Sequence, residues 1–180
     1  AAPTQGGLTQ ALATLLIHHG DFMKRIVIAS IITFTAFSAF ALDERSAIKI
    51  VLNYSESIAC QLEETQYEAA QINEGDSEQN GFGALYVVYW IGDVGCSGGN
   101  GTVFPNFTVV EHRGFISADP IVVTDYEFPD LRINNVTGFS SKNGILRIEG
   151  YTYGKNDQQG QPNQRVVYRL RFDSDKFVMD

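Results

Sequence analysis

Residues 84–91, ALYVVYWI, form a run of β-branched and aromatic residues that begins after Gly81-Phe82-Gly83. Such residues favour a strand on a packed, pleated surface. Similar runs, separated by Gly, Asn and Asp turns, predict strands at 84–91, 104–112, 121–126, 131–139, 145–153, 165–172 and 177–179. The Ser-Ser-Lys-Asn-Gly segment at 140–144 predicts a hairpin loop, because Asn-Gly favours tight chain reversal. The second half of the chain is therefore expected to be antiparallel sheet.

Alternation within the last two long strands predicts which sides are buried. One side of each strand is apolar or uncharged: Leu146, Ile148, Gly150 and Thr152 on the first, Val166, Tyr168, Leu170 and Phe172 on the second. The opposite sides carry Arg147, Glu149, Arg165, Arg169 and Arg171. An antiparallel sheet with one packed and one solvated face alternates in this way. The sheet is expected to turn its apolar face to a helix and its charged face to water.

An amphipathic helix is predicted before the strands, over residues 45–62. Its apolar side chains recur at steps of three and four: Ala47, Ile50, Val51, Tyr54, Ile58 and Leu62. Asp43 or Ser46 is the candidate N-cap. The acidic segment 63–81 predicts a linker that contributes nothing to the core, with a further helical turn near 67–72. Together these elements predict an α+β fold, one N-terminal amphipathic helix packed on a curved antiparallel sheet of about six strands.

Residues 23–41 have the composition of a Sec-type signal peptide. Met23-Lys24-Arg25 is basic, the apolar run after it is shorter than the roughly 20 residues of a membrane-spanning helix, and Ala39-Phe40-Ala41 has the form of a cleavage site. The residue directly after Ala41 is Leu42 and not a cysteine, which disfavours a lipoprotein. Cleavage would leave residues 42–180 as a single domain, periplasmic or secreted, without a membrane anchor. Residues 1–22 resemble no exported sequence and are interpreted as a non-native leader.

The chain is acidic, with a formal net charge of −8 at pH 7. Removing residues 1–41 takes away Asp21, Lys24 and Arg25 and leaves a net charge of −9. Such a surface repels phosphate backbones and anionic lipids, so nucleic acid and membranes are poor partners and a cationic partner fits better. Cys60 and Cys96 would both enter an oxidising compartment, where the paired cysteines of exported proteins form disulfides.

The loop at 90–102, WIGDVGCSGGNGT, has two catalytic interpretations. In the first, Asp93 and Ser97 echo the Gly-Asp-Ser-Gly-Gly segment of chymotrypsin-like proteases, with His112 as base, but three residues interrupt the pattern and His112 follows the loop instead of preceding it. In the second, Cys96 is a nucleophile, His112 is its base, and Asp93 or Asp119 orients the imidazole. Thiolate chemistry needs a free thiol, which a second cysteine in an exported chain disfavours.

The favoured interpretation of this loop is a structural corner. Its glycines permit positive φ angles and tight turns at the end of a strand, and Cys96 ties the corner to the helix through Cys60. No metal or cofactor site is predicted, because His112 and two separated cysteines do not make a CxxC or HxxxH cluster. The scattered acids also lack the spacing of a calcium loop.

Candidate partner contacts lie in the loops and on the charged side of the sheet. They are Asp93 and Asn100 in the loop at 90–102, Tyr151 and Tyr153, Asn156 and Asp157 in the polar loop at 154–162, and Arg169 and Arg171. Tyrosine and arginine are frequent at interface hot spots. The alternating arginines with Glu149 have a second explanation, which is cross-strand charge pairing.

The loop motif resembles that of a group of small exported proteins of Gram-negative bacteria. Gly92-Asp93-Val94-Gly95-Cys96-Ser97-Gly98-Gly99-Asn100-Gly101-Thr102 matches their Gly-Asp-x-Gly-Cys-x-Gly-Gly-x-Gly-Thr loop, and the later Gly150-Tyr-Thr-Tyr-Gly-Lys-Asn-Asp157 resembles their Tyr-rich strand running into an Asn-Asp loop. The resemblance covers most of residues 84–172. It implies export and a single domain and supplies no activity, and several members carry extra cysteines in the second loop that this chain lacks.

Two functions remain open from the sequence. The first is an exported, non-enzymatic binding module: an inhibitor, an immunity-type partner or an envelope accessory protein that contacts another protein or envelope component. The second is a small hydrolase or thiol enzyme that uses Cys96 or Ser97 with His112. A small ligand on the Arg and Tyr face of the sheet is a weaker third possibility.

Overall fold

The computed structural model describes residues 42–63, 66–96, 98, 103–114, 118–158 and 160–180. The predicted leader at 1–22 and signal peptide at 23–41 lie outside these residues. The first described element is helix α1 (Glu44–Ile58). Asp43 is its N-cap, and the Asp43 side chain accepts a hydrogen bond of 2.8 Å from the backbone N–H of Ser46. The predicted amphipathic helix is therefore confirmed, and it ends four residues earlier than the apolar pattern indicated.

The first sheet is antiparallel and is built around one central strand. Its members are β1 (Gln61–Leu62), β2 (Glu68–Asn73), β3 (Leu85–Asp93), β4 (Phe104–Glu111) and β5 (Ile121–Val123). β1 and β2 pair one after the other with the same edge of β3, β4 pairs with its other edge, and β5 lies beyond β4. The predicted helical turn near 67–72 was wrong, because β2 occupies this segment. Ala70 in β2 is buried in the core, so the segment is also more than a linker.

The second sheet is a separate four-stranded meander. Its strands are β6 (Asn135–Lys142), β7 (Ile145–Thr152), β8 (Gln164–Asp173) and β9 (Lys176–Met179). Asn143 and Gly144 alone connect β6 to β7, and both have positive φ angles, 54° and 76°. This is the geometry that an Asn-Gly hairpin turn requires. The predicted hairpin is present, and β6 starts and ends later than the predicted strand at 131–139.

The helix and the two sheets form three layers. Ala47 and Val51 of α1 pack on Tyr86, Val88 and other residues on one face of the first sheet. The opposite face carries Leu85, Val87 and Val109 and packs on the apolar side of the second sheet, which contributes Leu146, Ile148, Leu170 and Phe177. The first sheet is therefore the middle layer. All residues of β3 except Ile91 are buried, as expected for a strand covered on both faces.

The predicted fold class is confirmed in part. The described residues contain one α-helix, antiparallel strands and one disulfide, which is an α+β arrangement. The single sheet of about six strands was wrong, because the strands divide between two sheets. The apolar side of β7 and β8 is covered by the first sheet, whereas α1 lies on that sheet's far side. Alternation of apolar and polar residues predicts that one side of a strand is buried, but it does not predict which element covers that side.

The disulfide joins the end of the helix to the loop after β3. Cys60 lies two residues beyond α1 and is bonded to Cys96, with Cα atoms 5.3 Å apart. The backbone N–H of Cys60 also donates to the carbonyl of Asp93 over 2.9 Å. The predicted pairing is confirmed, and it is consistent with an oxidising, exported location. No helix among the described residues is long and apolar enough to cross a membrane.

Candidate binding surface

Two predicted site residues of the loop after β3, Asp93 and Cys96, lie at a corner that the disulfide braces. Asp93 is buried at the end of β3, and Cys96 carries a positive φ of 49° with its sulfur in the disulfide. Two further predicted residues, Ser97 and Asn100, lie outside the described residues, as do Gly99, Gly101 and Thr102 of the motif. In this state the Cys96 sulfur is not a thiol, so it is not available as a nucleophile.

His112 lies at the opposite end of the β3–β4 hairpin. Its backbone N–H donates to Ala84 over 2.9 Å, whereas the strand pairs near the loop are Gly92 with Phe104. At about 3.3 Å per residue, the two ends are separated by roughly 25 Å. The His112 ring is 1% exposed, and among the described residues neither ring nitrogen has a hydrogen-bond partner. The structure therefore does not bring Cys96 and His112 together, and Asp119 is exposed in the segment before β5.

The outer face of the second sheet is the side that points away from the first sheet. Its long strands place their odd-numbered residues on this side: Ile145, Arg147, Glu149 and Tyr151 of β7, and Arg165, Val167, Arg169 and Arg171 of β8. Strand register aligns them in rows across the sheet. One row is Ser140, Arg147 and Arg169, and the next is Lys142, Ile145 and Arg171. Arg147 and Arg169 are therefore direct neighbours on adjacent strands.

Ion pairs on the outer face link each arginine to one carboxylate. Glu149 binds both Arg147 and Arg165, the latter at 2.7 Å from its Nη2. The hydrogen bond from Arg165, together with the charge of Arg147, holds the pKa of Glu149 below its usual value. Arg169 pairs with Asp180 at 3.1 Å. The predicted cross-strand pairing is therefore present, although basic side chains outnumber these acids.

The loop after β7 is ordered by one carboxylate. Asp157 accepts hydrogen bonds from the backbone N–H groups of Gly154 and Asn163, each at 2.8 Å. These two bonds hold the pKa of Asp157 below its usual value. The Tyr153 hydroxyl accepts a further bond of 2.8 Å from the N–H of Gly160. Asp157 therefore shapes the loop from inside, while Tyr153 and Asn156 remain exposed.

The predicted partner contacts fall into separate groups. Tyr151, Arg169 and Arg171 share the outer face, and Tyr153, Asn156 and Asp157 belong to the loop that follows β7. Asp93 lies apart from them, at the end of β3 in the first sheet.

Sequence reasoning missed Lys142, because the predicted strand at 131–139 ended before this residue. The alternation continues through β6, whose pattern exposes Ser140 and Lys142 on the same side, and this was the available signal.

A cleft on the outer face is formed by Ser140, Lys142, Asn143, Ile145, Arg147 and Arg169, with a volume of about 310 Å³. Within the described ranges, no group of three or more His, Cys, Asp or Glu side chains is placed to hold a metal ion.

Comparison of the chain with protein-family models, with curated proteins and with solved structures finds no match. Indications of function therefore come from the geometry of the chain itself.

Proposed function

We propose that this protein is an exported, non-enzymatic binding module that contacts another protein or envelope component through the outer face of its second sheet. One observation carries the proposal. The other large sheet faces are packed against described elements, whereas the outer face leaves Arg169 and Val167 exposed, the side chain of Arg169 at 58%. Tyr151 lies on the same face, and tyrosine and arginine are enriched at interface centres.

A rigid frame supports this surface. The inner side of the second sheet contributes Leu146, Ile148 and Leu170, each fully buried, so the strands that present the outer face are held in place. A preorganised surface loses little conformational entropy when a partner binds. The proposed roles that use such a surface are those of an inhibitor, an immunity-type partner or an envelope accessory protein. The kinship with small exported Gram-negative proteins that carry the Gly-Asp-x-Gly-Cys loop is part of the same proposal.

Export is proposed from residues 23–41 and from the disulfide. The test is the intact mass of the native protein, measured with thiol alkylation before and after reduction. A mass that begins at Leu42, with alkylation only after reduction, supports a processed and disulfide-bonded protein. A chain that retains residues 23–41 would contradict the proposed cleavage. Alkylation of Cys96 without reduction would favour the rival function, a small hydrolase or thiol enzyme that uses Cys96 or Ser97 with His112.

The binding function is tested by photo-crosslinking at a single position. A photoreactive amino acid replaces Val167, at the centre of the outer face, and the purified protein is illuminated in extract from the exported fraction. The control variant carries the same group at Glu56, on the exposed side of α1. We expect a discrete crosslinked species with the Val167 variant alone, and its mass spectrum identifies the partner. Equal labelling of both variants, or none, would overturn the proposal.

A further inference from the structure

The cleft on the outer face is lined by three cationic side chains. Arg147 and Arg169 are paired in register on β7 and β8, and Lys142 lies in the adjacent row of β6. Like charges directly opposite each other on neighbouring strands destabilise a sheet. Lys142 forms no ion pair within 4.0 Å in the described part of the chain. The cleft therefore concentrates positive charge that the protein's own carboxylates leave only partly neutralised.

The acids that pair with these arginines leave further donors unused. Arg147 binds Glu149 through Nη1, while Arg169 binds Asp180 through Nε and Nη2 at 3.3 and 3.1 Å. Among the described residues, Nη2 of Arg147 and Nη1 of Arg169 therefore have no side-chain partner. Guanidinium groups with free donors bind carboxylates in planar, often bidentate geometry. One carboxylate that binds both arginines would also relieve their mutual repulsion.

We infer that this cleft binds an acidic segment of a partner protein, with a carboxylate side chain held between Arg147 and Arg169 and a second near Lys142. The inference rests on the proposed binding function and specifies the chemistry of the partner. Ile145 in the cleft and the exposed Val167 nearby offer apolar contact to the partner's backbone and aliphatic groups. A protein segment carries both kinds of group, whereas an inorganic anion does not.

The rest of the molecule disfavours a long polyanion at this site. The whole chain has a net charge of −8, so a polymer that extends beyond the cleft meets an acidic surface. At an ionic strength of about 0.1 M, charges interact mainly within a Debye length of about 10 Å. A short acidic segment in the cleft is therefore attracted by the nearby cations, while its repulsion by more distant carboxylates is screened. Nucleic acid binding depends on a continuous basic track along the backbone, which a single cleft does not provide.

The test is the binding of a fluorescently labelled, N-acetylated hexaglutamate peptide, followed by fluorescence anisotropy at an ionic strength of about 0.1 M. Lys142→Gln and Arg147→Gln each remove one cation from the cleft, and Glu149 keeps Arg165 as a partner in the second variant. We expect each substitution to raise the dissociation constant about fivefold. Arg132→Gln is the matched control, because Arg132 is also exposed and paired with one acid, Asp130, outside the cleft. It should change the dissociation constant by less than about twofold.

Four results would overturn the inference, three of them with anionic probes or the control variant and one with a cationic peptide. The first three are no binding of hexaglutamate by the folded protein, an equal effect of Arg132→Gln, and tighter binding of an oligothymidylate with the same dependence on Lys142. Binding of hexalysine instead of hexaglutamate would also overturn it and would favour the cationic partner predicted from net charge. Crosslinking at Val167 with no hexaglutamate binding would leave the binding function in place and reject only the acidic segment. Circular dichroism of each variant verifies that it is folded.

Discussion

Cys96 and His112 lie at opposite ends of the β3–β4 hairpin, one in a disulfide and the other buried beside the ring of Phe82. The two ring centroids of His112 and Phe82 are 6.1 Å apart in an edge-on arrangement. A buried polar ring without hydrogen bonds lowers stability, because its nitrogens lose their contacts with water. His112 therefore has the surroundings of a core residue, which differ from those of a general base in contact with substrate.

Replacement of His112 by phenylalanine tests this interpretation. We expect His112→Phe to leave the free energy of unfolding unchanged or to raise it by on the order of 1 kcal/mol, measured by urea denaturation. Val110→Ala, at a fully buried position on the same strand, is the control and should lose about 2 kcal/mol. A larger loss with His112→Phe than with Val110→Ala would show that the imidazole has a stabilising partner. Loss of an enzymatic activity would favour the hydrolase or thiol-enzyme alternative.

The disulfide should contribute a large part of the stability. Cys60 and Cys96 are separated by 36 residues, and a loop of this length constrains the unfolded chain by about 4 kcal/mol in the chain-entropy description. We expect the Cys60→Ala, Cys96→Ala double variant to lose about this amount in urea denaturation. Reduction of the wild-type protein should give the same loss, and reduction of the double variant should change nothing. Equal stability of reduced and oxidised wild type would contradict the prediction.

The Asp43 cap predicts a pH-dependent contribution from helix α1. Hydrogen bonds from Ser46 hold the pKa of Asp43 below its usual value, so the folded protein favours the ionised carboxylate. Asp43→Ala should lose about 1 kcal/mol at neutral pH. The contribution is present above a pH of about 4 and is lost as the pH falls through the lowered pKa.

Urea denaturation at neutral and at acidic pH measures this effect as the difference between wild type and Asp43→Ala. Asp43→Asn is the control, since an asparagine cap keeps its hydrogen bond at both values of pH. The wild-type advantage over Asp43→Ala should shrink in acid, while the advantage of Asp43→Asn over Asp43→Ala persists. An undiminished wild-type advantage well below the usual aspartate pKa would contradict the assigned role.

The loop after β7 should loosen when Asp157 is replaced. Asp157→Ala removes the acceptor for the N–H groups of Gly154 and Asn163, so we expect faster hydrogen exchange at both amides. Because its folded pKa is lowered, the ordering is present above the usual aspartate pKa and is lost in more acidic solution. Mass spectrometry measures the hydrogen exchange of the loop amides and compares it with that of the β7 amides. Asn156→Ala, an exposed neighbour, should leave the exchange unchanged.

Two glycines of the second sheet should differ in their tolerance of a methyl group. A Cβ on Gly150 would collide with the backbone carbonyl of Asn135 and with the Ile133 side chain, whereas one on Gly138 would meet its nearest atom, in Glu149, at 3.5 Å. Gly150→Ala should therefore lose about 2 kcal/mol. Gly138→Ala, the matched control, should change the stability by less than about 0.5 kcal/mol. Equal thermal denaturation midpoints for the two variants would contradict the close packing of Gly150 against Asn135.

Local patterns predicted the helix, most strands and the disulfide. The helix follows from apolar spacing and from the Asp43 cap, and the β7–β8 alternation identified Leu146, Ile148 and Leu170 as inward-facing residues. The polar composition of 68–73 hid β2, because its pairing with β3 places Ala70 in the core and leaves Glu68 and Asn73 exposed. A strand at the edge of a sheet needs few apolar residues, so the tertiary context overrode the weak local signal.

The outer face of the second sheet was also predicted only in part from the sequence. The sequence indicated that arginines alternate to one side, and it offered charge pairing and partner binding as two explanations. The cleft depends on which residues stand opposite one another. The Asn143–Gly144 turn sets the register of β6 with β7, and the register of β7 with β8 places Arg147 opposite Arg169. A strand end predicted at residue 139 instead of 142 was enough to leave Lys142 out of the surface. Register therefore decided which side chains meet.

Spacing within a few residues predicted α1, most strands and their buried sides, and the presence of two cysteines predicted the disulfide, whereas β2 was missed because its pairing with β3 is a long-range contact. The division of the strands into two sheets, with the first sheet between α1 and the second, was not predicted and follows from long-range packing in the folded chain. The continuous apolar run of β3 is compatible with burial on both faces, but it does not specify the covering layers. Their identity depends on contacts between residues distant in the chain, and these contacts leave the outer face of β7 and β8 uncovered by the other described elements.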